Sequence, residues 1–339
     1  IYTLSLHDAL PIYQPQKTEL EKVEQRREEV LATGRKFKYP LQWTKYRIVV
    51  NTILIIIVLM AMVMVGGWLA LYKMHDTGDL LYRVTKMLPV AVAKVDGKRV
   101  AFSDYLMLYR SSVISMERQS SGRFYDGDES KELRIQYQRT ALTKAEEYTY
   151  AMKLGQELGI KITDEEIERE FRRHRTMGGA ERSEEGFLKI VGDNFGLNKK
   201  EYERMLYLAL MKSKVEERID QETMRRVEKI EQLLMANGGD YQAVASELGE
   251  QVSYEETGGL VSNKNIDGGR ASEAMKLEVG GQSGRFISTN GEGYYFVKLV
   301  EKTEAEVNFV SLKVEFEEFN KRFEALNREG KITEFISFK

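Results

Sequence analysis

Residues 154–171 read LGQELGIKITDEEIEREF, and this stretch marks the end of one helix and the start of another. Gly159 follows a run of helix-forming residues, at the position just past a helix end where a left-handed backbone is common. Thr163 precedes a glutamate by three residues, which is the spacing of a capping box at a helix N-terminus. Ile167 and Phe171 lie four residues apart, so they share one face of the second helix and we expect both to be buried.

The residues upstream predict a small hairpin followed by two helices. Residues 91–105 read AVAKVDGKRVAFSDY, in which Asp96-Gly97 predicts a tight turn between two strands. Ser103 then predicts the N-cap of a first helix. A long second helix is expected over about 131 to 158.

Two further helices are predicted downstream. The first covers about 184 to 191 and ends at Gly192. The second opens at Asn198, which has a glutamate three residues later as in a capping box, and it continues from Lys199 to about Ala236. Its apolar residues recur at helical spacing, as Met205, Leu208, Met211, Val215 and Ile219.

An apolar segment precedes this helical region. Residues 48–72 read IVVNTILIIIVLMAMVMVGGWLALY and contain no charge. As a helix this segment is roughly 37 Å long, which exceeds the roughly 30 Å thickness of a hydrocarbon core. It is too long, and lies too far along the chain, for a cleaved signal peptide. We therefore expect a single transmembrane helix.

The charges beside this segment predict its orientation. Five Lys and Arg residues lie within the 15 residues before it, and three lie within the 15 after it. Because positive charge accumulates on the cytoplasmic side, we expect a cytoplasmic tail over 13–47, helical or disordered, and an extracytoplasmic remainder after a linker over 73–88. Residues 1–12, IYTLSLHDALPI, resemble a translated sequencing adapter and are excluded from the fold.

Composition excludes several classes of function. The chain has 339 residues, a net charge of −2, no cysteine and three histidines, His7, His75 and His174. A nucleic-acid partner is not expected, since the chain has no basic surplus. The lack of cysteine excludes disulfides, thiolate nucleophiles and Cys-ligated metals. His174, which is flanked by arginines, is predicted to be a surface residue rather than a ligand, and we expect neither a cofactor nor a metal.

The helical region resembles a known chaperone module. The hairpin at 91–105, the stretch at 154–171 and the segment FGLNKKEYERMLYLALMKSKVEERI at 195–219 look like the N-terminal module of the SurA, PrsA and PpiD group of extracytoplasmic folding factors. The resemblance covers about residues 89–220. It implies a peptide-binding chaperone module that acts on unfolded or newly secreted polypeptides outside the cytoplasm.

Residues 221–314 are similar to a parvulin-like (PpiC-type) prolyl isomerase domain. A helix, a Gly-Gly loop, a short helix that ends at Gly280-Gly281 and a closing hairpin follow one another in the expected order. The hairpin strands are predicted at 285–288 and 294–300. The likeness is carried by VEKIEQLLMANGGDYQAVASELGE (227–250), TGGLVS (257–262) and ASEAMKLEVGGQSGRFISTNGEGYYFVKLVEK (271–302).

The sequence departs from the parvulin pattern where that family has its active site. Tyr295 stands where the resemblance implies a histidine, and Arg270 and Ala271 stand where it implies a pocket phenylalanine. A second histidine, expected on an opening strand, has no counterpart. The acid or cysteine expected before the Gly-Gly loop falls nearest to Glu250 or Gln251.

These departures bear on catalysis. Isomerising an X–Pro bond lowers a torsional barrier of roughly 18–20 kcal/mol without making or breaking a bond, so a dry pocket and a few donors are enough. Thr289 and the Tyr295 hydroxyl are candidate donors, and Glu250 is a third candidate. Because both family histidines and the pocket aromatic are missing, we expect low or no isomerase activity.

Candidate peptide-binding residues are apolar or aromatic side chains suited to a tolerant surface. For the two tyrosines among them, ordinary core packing is the alternative interpretation. The candidates are Leu260, Met275, Tyr105 and Tyr109.

The C-terminal residues predict two further features. Residues 307–314, VNFVSLKV, alternate as a strand does, and we expect them to pair antiparallel with 294–300. Residues 315–339 predict a helix, a break at Gly330 and a short final element. The resemblance implies that this C-terminal helix packs back on the chaperone module.

The sequence thus predicts an α+β chain with one transmembrane helix, a mostly helical SurA-N-like module and a small antiparallel sheet with flanking helices. The function it implies is a membrane-anchored extracytoplasmic folding factor. Two alternatives stay open. One is an active prolyl isomerase of the PrsA kind, and the other is an adaptor or structural protein of the cell envelope.

Overall fold

The computed structural model describes residues 19–74, 77–119, 129–176, 181–265, 267–289 and 291–338. The chain divides into two compact units, Ile1–Ala70 and Leu71–Lys339. The adapter-like residues 1–12, with His7, lie outside the described residues, as does His75.

The first unit forms a single helix from Glu19 onward. Helix α1 (Glu19–Tyr72) runs without interruption from charged residues into the apolar segment. Within it, Tyr46–Tyr72 is 27 residues long, and its length and composition suffice to cross a membrane. The charged residues from Glu19 onward are therefore helical rather than a disordered tail.

The second unit contains a mainly helical region followed by a small sheet. The helices are α2 (Asp79–Met87), α3 (Phe102–Gln119), α4 (Glu129–Glu157), α5 (Asp164–Thr176), α6 (Glu184–Phe195), α7 (Lys199–Ile219), α8 (Gln221–Ala236), α9 (Tyr241–Leu248), α10 (Arg270–Ala274) and α11 (Glu318–Arg328). The strands are β1 (Ala91–Val95), β2 (Lys98–Ala101), β3 (Ser253–Glu256), β4 (Val261–Ser262), β5 (Phe286–Ile287), β6 (Gly293–Lys302), β7 (Glu306–Glu315) and β8 (Ile332–Glu334).

Capping residues set several helix boundaries, as the sequence predicts. Gly159 follows α4 with φ +68°. At the start of α5, the N–H of Glu166 donates to the Thr163 hydroxyl at 3.3 Å, and the N–H of Thr163 donates to the Glu166 carboxylate at 3.1 Å. Asn198 and Glu201 form the same reciprocal pair at the start of α7. Both predicted capping boxes are confirmed.

Four predicted helix boundaries are wrong. Helix α3 begins at Phe102, so Ser103 lies inside it. Helix α6 passes through Gly192 and ends at Phe195, because Gly196 is the residue that adopts the left-handed conformation, with φ +65°.

The third wrong boundary concerns the long helix predicted from residue 199 to 236. The chain breaks at Asp220, whose side chain accepts a hydrogen bond from the N–H of Thr223 at 3.0 Å and thereby caps α8. Two helices, α7 and α8, therefore replace one.

The helix predicted to end at Gly280-Gly281 is shorter than expected, because α10 ends at Ala274. The two glycines instead attach to strand β6. The N–H of Gly280 donates to the carbonyl of Leu299 at 2.9 Å, and the N–H of Leu299 donates to the carbonyl of Gly281 at 3.0 Å.

A three-stranded sheet of order β2-β1-β8 lies in the helical region. The hairpin turn at Asp96-Gly97 has positive φ at both residues, as a type I′ turn requires. Strand β8 pairs antiparallel with β1, with Glu334 opposite Ala93. The final short element after Gly330 is therefore a strand.

A second sheet has the order β3-β7-β6-β5, with β4 also paired to β7. Strands β6 and β7 pair antiparallel over most of their length, with Tyr295 opposite Lys313 and Phe296 opposite Leu312. The predicted pairing of 307–314 with 294–300 is confirmed. Side chains alternate along β6, so Tyr294 and Phe296 pack against α8 and α9, whereas Val297 packs on the opposite face with α10.

The largest hydrophobic core lies among the helices and extends to the C-terminal residues. Phe171 is 1% exposed and Ile167 packs against this core, as the four-residue spacing predicts. Helix α11 contributes Phe319, whose ring centre lies 5.4 Å from that of Tyr150 on α4. Phe338 reaches the same core and lies 6.4 Å from the ring of Tyr105.

Candidate functional site

Tyr295 closes the sheet from within rather than facing an open pocket. It is 3% exposed, and its ring centre lies 5.9 Å from that of Phe286 on β5. A Cβ atom on Gly268 would lie 2.9 Å from the ring, so the chain passes directly beside it. Burial raises the pKa of the Tyr295 hydroxyl. This hydroxyl makes no hydrogen bond to the residues that the structure describes.

Arg270 covers the remaining face of the Tyr295 ring. Its guanidinium carbon lies 5.0 Å from the ring centre, within the range of a cation–π interaction. The same group pairs with the Glu255 carboxylate, donates to the Ser311 hydroxyl at 3.1 Å and donates to the carbonyl of Asp267 at 2.9 Å. A charged group therefore stands where the parvulin resemblance implies an apolar ring, and the face of Tyr295 is closed to a prolyl side chain.

The two cations around Tyr295, Arg270 and Lys313, are both paired with carboxylates. Burial opposes the charged form of Lys313, but hydrogen bonds to Glu315 and Glu292, at 2.7 and 3.1 Å, outweigh it and raise the pKa of this amine. Burial raises the pKa of Asp267, against the backbone hydrogen bonds that it accepts and the nearby Arg270.

The other two candidate donors lie in different places. Thr289 follows β5, and its N–H donates to the carbonyl of Gly268 at 2.9 Å, so the structure brings Thr289 close to the loop that covers Tyr295. Glu250 is exposed, in a single 3₁₀ turn before β3. No described contact joins Glu250 to Tyr295.

The candidate peptide-binding residues divide in the same way. Tyr105 and Tyr109 are 2% and 5% exposed, and their rings stack at 6.3 Å within the helical core. The peptide-binding assignment of these two tyrosines is therefore corrected to core packing. Leu260 is 39% exposed, between β3 and β4, and Met275 is half-buried beside a groove.

This groove lies beside β5 and encloses about 630 Å³. Its lining combines apolar side chains from α10 and β5 with amides from the loop after β4 and with residues at the end of α5. Its lining is thus a mixture of apolar side chains and polar groups, as in ligand-binding clefts. The residues that line it include Met275, Phe286, Ile287, Thr289, Asn263, Asn265, Arg173 and Lys264.

The described residues offer no site for a metal. No group of three His, Asp or Glu side chains among them is arranged to hold an ion. His174 is half-buried rather than at the surface, which corrects the prediction for this residue. Its Nδ1 lies 2.5 Å from the Tyr202 hydroxyl and its Nε2 lies 3.2 Å from the Glu170 carboxylate, so it ties α5 to α7.

Sequence reasoning missed two features of this region. The sequence shows that Arg270 replaces the aromatic residue implied by the parvulin resemblance, but not that Arg270 covers Tyr295. The pairing of Arg270 with Glu255 depends on a fold that brings distant segments together. Sequence reasoning also missed Arg173 and Lys264, which line one groove although about 90 residues separate them. No periodicity or motif links such positions.

The fold defines a class of protein in which an apolar helix precedes a helical module and a small antiparallel sheet. Comparison with protein families identifies a SurA-like N-terminal domain over residues 41–216. Because this match covers more than half of the chain, the protein belongs to the family with that domain, the folding factors of the SurA, PrsA and PpiD type. The match ends within α7, so it does not include the second sheet.

The other two comparisons gave no result that bears on function. No curated protein matches the chain. No solved structure matches it.

Proposed function

We propose that this protein is a membrane-anchored extracytoplasmic chaperone that holds unfolded or newly exported polypeptides and has low or no prolyl isomerase activity. The observation that carries the proposal is the contrast between two neighbouring surfaces. The ring of Tyr295 is covered by Arg270, whereas the groove beside β5 is open and has apolar side chains in its lining. Binding without catalysis fits this arrangement.

We also propose a domain organisation. The SurA-N-like module covers 89–220, the parvulin-like domain covers 221–314, and residues 315–339 belong with the module. Support for the last assignment comes from Phe319 and Leu326, which lie in the same hydrophobic core as the helices of the module.

The anchoring is part of the proposal. Support for it comes from the apolar length of Tyr46–Tyr72 and from the greater number of positive charges before this segment than after it. The N-terminal tail is then cytoplasmic, and the two domains are outside the cytoplasm.

Chaperone activity is tested with the full-length protein in nanodiscs. A chemically unfolded protein is diluted into buffer with and without the nanodiscs, and light scattering reports its aggregation. We expect suppression at near-stoichiometric amounts, which empty nanodiscs do not give. Unchanged aggregation would contradict the proposed chaperone function.

Isomerase activity is tested separately, by NMR exchange on a short proline peptide with catalytic amounts of the same protein. Uncatalysed exchange takes tens to hundreds of seconds, so weak catalysis is detectable. We expect no acceleration. Acceleration that is lost in both Tyr295→Phe and Thr289→Val would instead establish a rebuilt isomerase site.

A further inference from the structure

Strand β5 is an edge strand of the second sheet. The strand order β3-β7-β6-β5 leaves β5 with one neighbouring strand, β6, and both residues of β5, Phe286 and Ile287, line the groove of about 630 Å³. An edge strand presents unpaired backbone groups, and these can accept a further strand.

The register of the ladder decides which backbone groups face the groove. The N–H of Ser288 donates to the carbonyl of Gly293 at 2.9 Å, toward β6, and Phe286 and Ile287 lie opposite Tyr295 and Tyr294. In an antiparallel ladder, successive residues point their N–H and C=O groups to opposite sides. Since Ser288 points toward β6, the backbone of Ile287 points away from β6 and toward the groove.

The backbone of Ile287 has no hydrogen-bond partner among the described residues. Two residues further along, Thr289 points the same way, and its N–H is already taken by the carbonyl of Gly268 at 2.9 Å. The chain itself therefore makes one hydrogen bond of the strand type along this edge. The next N–H and C=O along this edge are those of Ile287, and neither is hydrogen-bonded to a described residue.

The side chains around this edge indicate what the occupant is. Met275 and Phe286 contribute apolar side chains to the lining of the groove, which suits alternate side chains of an extended peptide. Three cations, Arg173, Lys264 and Lys276, line the groove against one carboxylate, Glu273. Glu273 pairs with Lys276 and Arg173 pairs with Glu170, so Lys264 is the lining cation that has no ion pair among the described residues.

We propose that an extended, acidic polypeptide segment binds here by adding a strand to β5, with its backbone bonded to Ile287 and a carboxylate facing Lys264. The inference rests on the proposed chaperone function and names its mode of binding and its substrate class. Backbone recognition tolerates many sequences, and Lys264 selects among them by charge.

The test measures fluorescence anisotropy of a labelled nine-residue peptide that has valine at alternate positions and aspartate at both ends. The full-length protein in nanodiscs is compared with Ile287→Pro and with the matched control Ile287→Val. Proline removes the N–H that points away from β6, which edge strands tolerate, and it also shortens a side chain that packs against the core. We expect the Kd to rise about tenfold in Ile287→Pro, which corresponds to about 1.4 kcal/mol, and to stay within about twofold in Ile287→Val.

A second measurement leaves the protein unchanged, in case the proline variant does not fold. The same peptide is N-methylated at one alternate set of amides or at the other. Strand addition uses one set only, so one methylated peptide loses binding and the other keeps it. A peptide with lysine at both ends is expected to bind more weakly than the aspartate peptide at low salt, with the difference reduced at high salt.

The possible failures are distinguishable. If unfolded protein is held but the methylated peptides bind equally well and Ile287→Pro binds as the wild type does, strand addition is wrong and the chaperone function stands. If neither peptide nor unfolded protein binds, both proposals fall together.

Discussion

Asp220 joins three elements of the second unit, and its replacement gives the sharpest test of how the sheet is attached to the helical region. The carboxylate is 2% exposed. One oxygen accepts from the N–H of Thr223 at 3.0 Å. The other accepts from the N–H groups of Glu317 and Glu318, at 2.7 and 3.1 Å, where β7 leads into α11.

The expected cost follows from these three hydrogen bonds. Loss of a helix N-cap costs about 1 kcal/mol, and each hydrogen bond to a charged acceptor contributes about 1.5–3 kcal/mol. Such effects are not additive for one residue, so we expect Asp220→Ala to lower the free energy of unfolding by about 4 kcal/mol. Asp240 is the matched control, because it caps α9 through a single bond to Ala243 and is exposed. For Asp240→Ala we expect a loss of about 1 kcal/mol.

Pulse proteolysis in urea measures both variants in the full-length protein. The fraction that survives a brief protease pulse reports the folded population at each urea concentration, and the shift in midpoint gives the change in stability. If the two variants differ by less than about 1 kcal/mol, Asp220 contributes no more than an ordinary cap, and the attachment described here is wrong.

Three further predictions concern pH, topology and peptide binding. Burial raises the pKa of Glu216 to about 7 and of Glu146 to about 8, so the folded chain retains protons that the unfolded chain releases near 4.5. Stability in the urea assay is therefore expected to fall as pH rises from about 4.5 to about 8, and a dependence that persists in Glu146→Gln with Glu216→Gln would contradict this origin. Because the chain has no cysteine, Glu250→Cys should react with an impermeant maleimide in intact cells and Glu24→Cys only after permeabilisation; the reverse pattern means the opposite orientation. Tyr295→Phe should leave peptide binding unchanged within about twofold, because the Tyr295 side chain is buried and does not line the groove. A larger loss of affinity in the anisotropy assay would show that Tyr295 belongs to the binding site.

The sequence predicts local features well where a single residue type decides the backbone. Gly159, the capping boxes at Thr163 and Asn198, and the turn at Asp96-Gly97 all depend on neighbours within a few residues. The sequence also predicts the pairing of β6 with β7, because two alternating segments joined by a short connection usually form an antiparallel hairpin.

Other features depend on contacts between distant residues and have no local signal. Asp220 could be an ordinary helical residue until Glu317 and Glu318 are placed beside it. Tyr105 packs against Phe338 near the C-terminus as well as against its neighbour Tyr109, and the contact with Phe338 has no signal in the local sequence. Likewise, the orientation of Ile287 depends on the register of β5 with β6, which composition does not specify.

The pairing of β8 with β1 has a consequence for the order in which this protein can be assembled. About 240 residues lie between Ala93 and Glu334, which face each other in the finished sheet. Contacts of such long range form late, since closing the intervening loop costs entropy before the pairing repays it. The edge of β1 that β8 covers has no strand partner until residues 332–334 have been synthesised. The central strand of this sheet therefore keeps an unpaired edge until almost the whole chain has been synthesised.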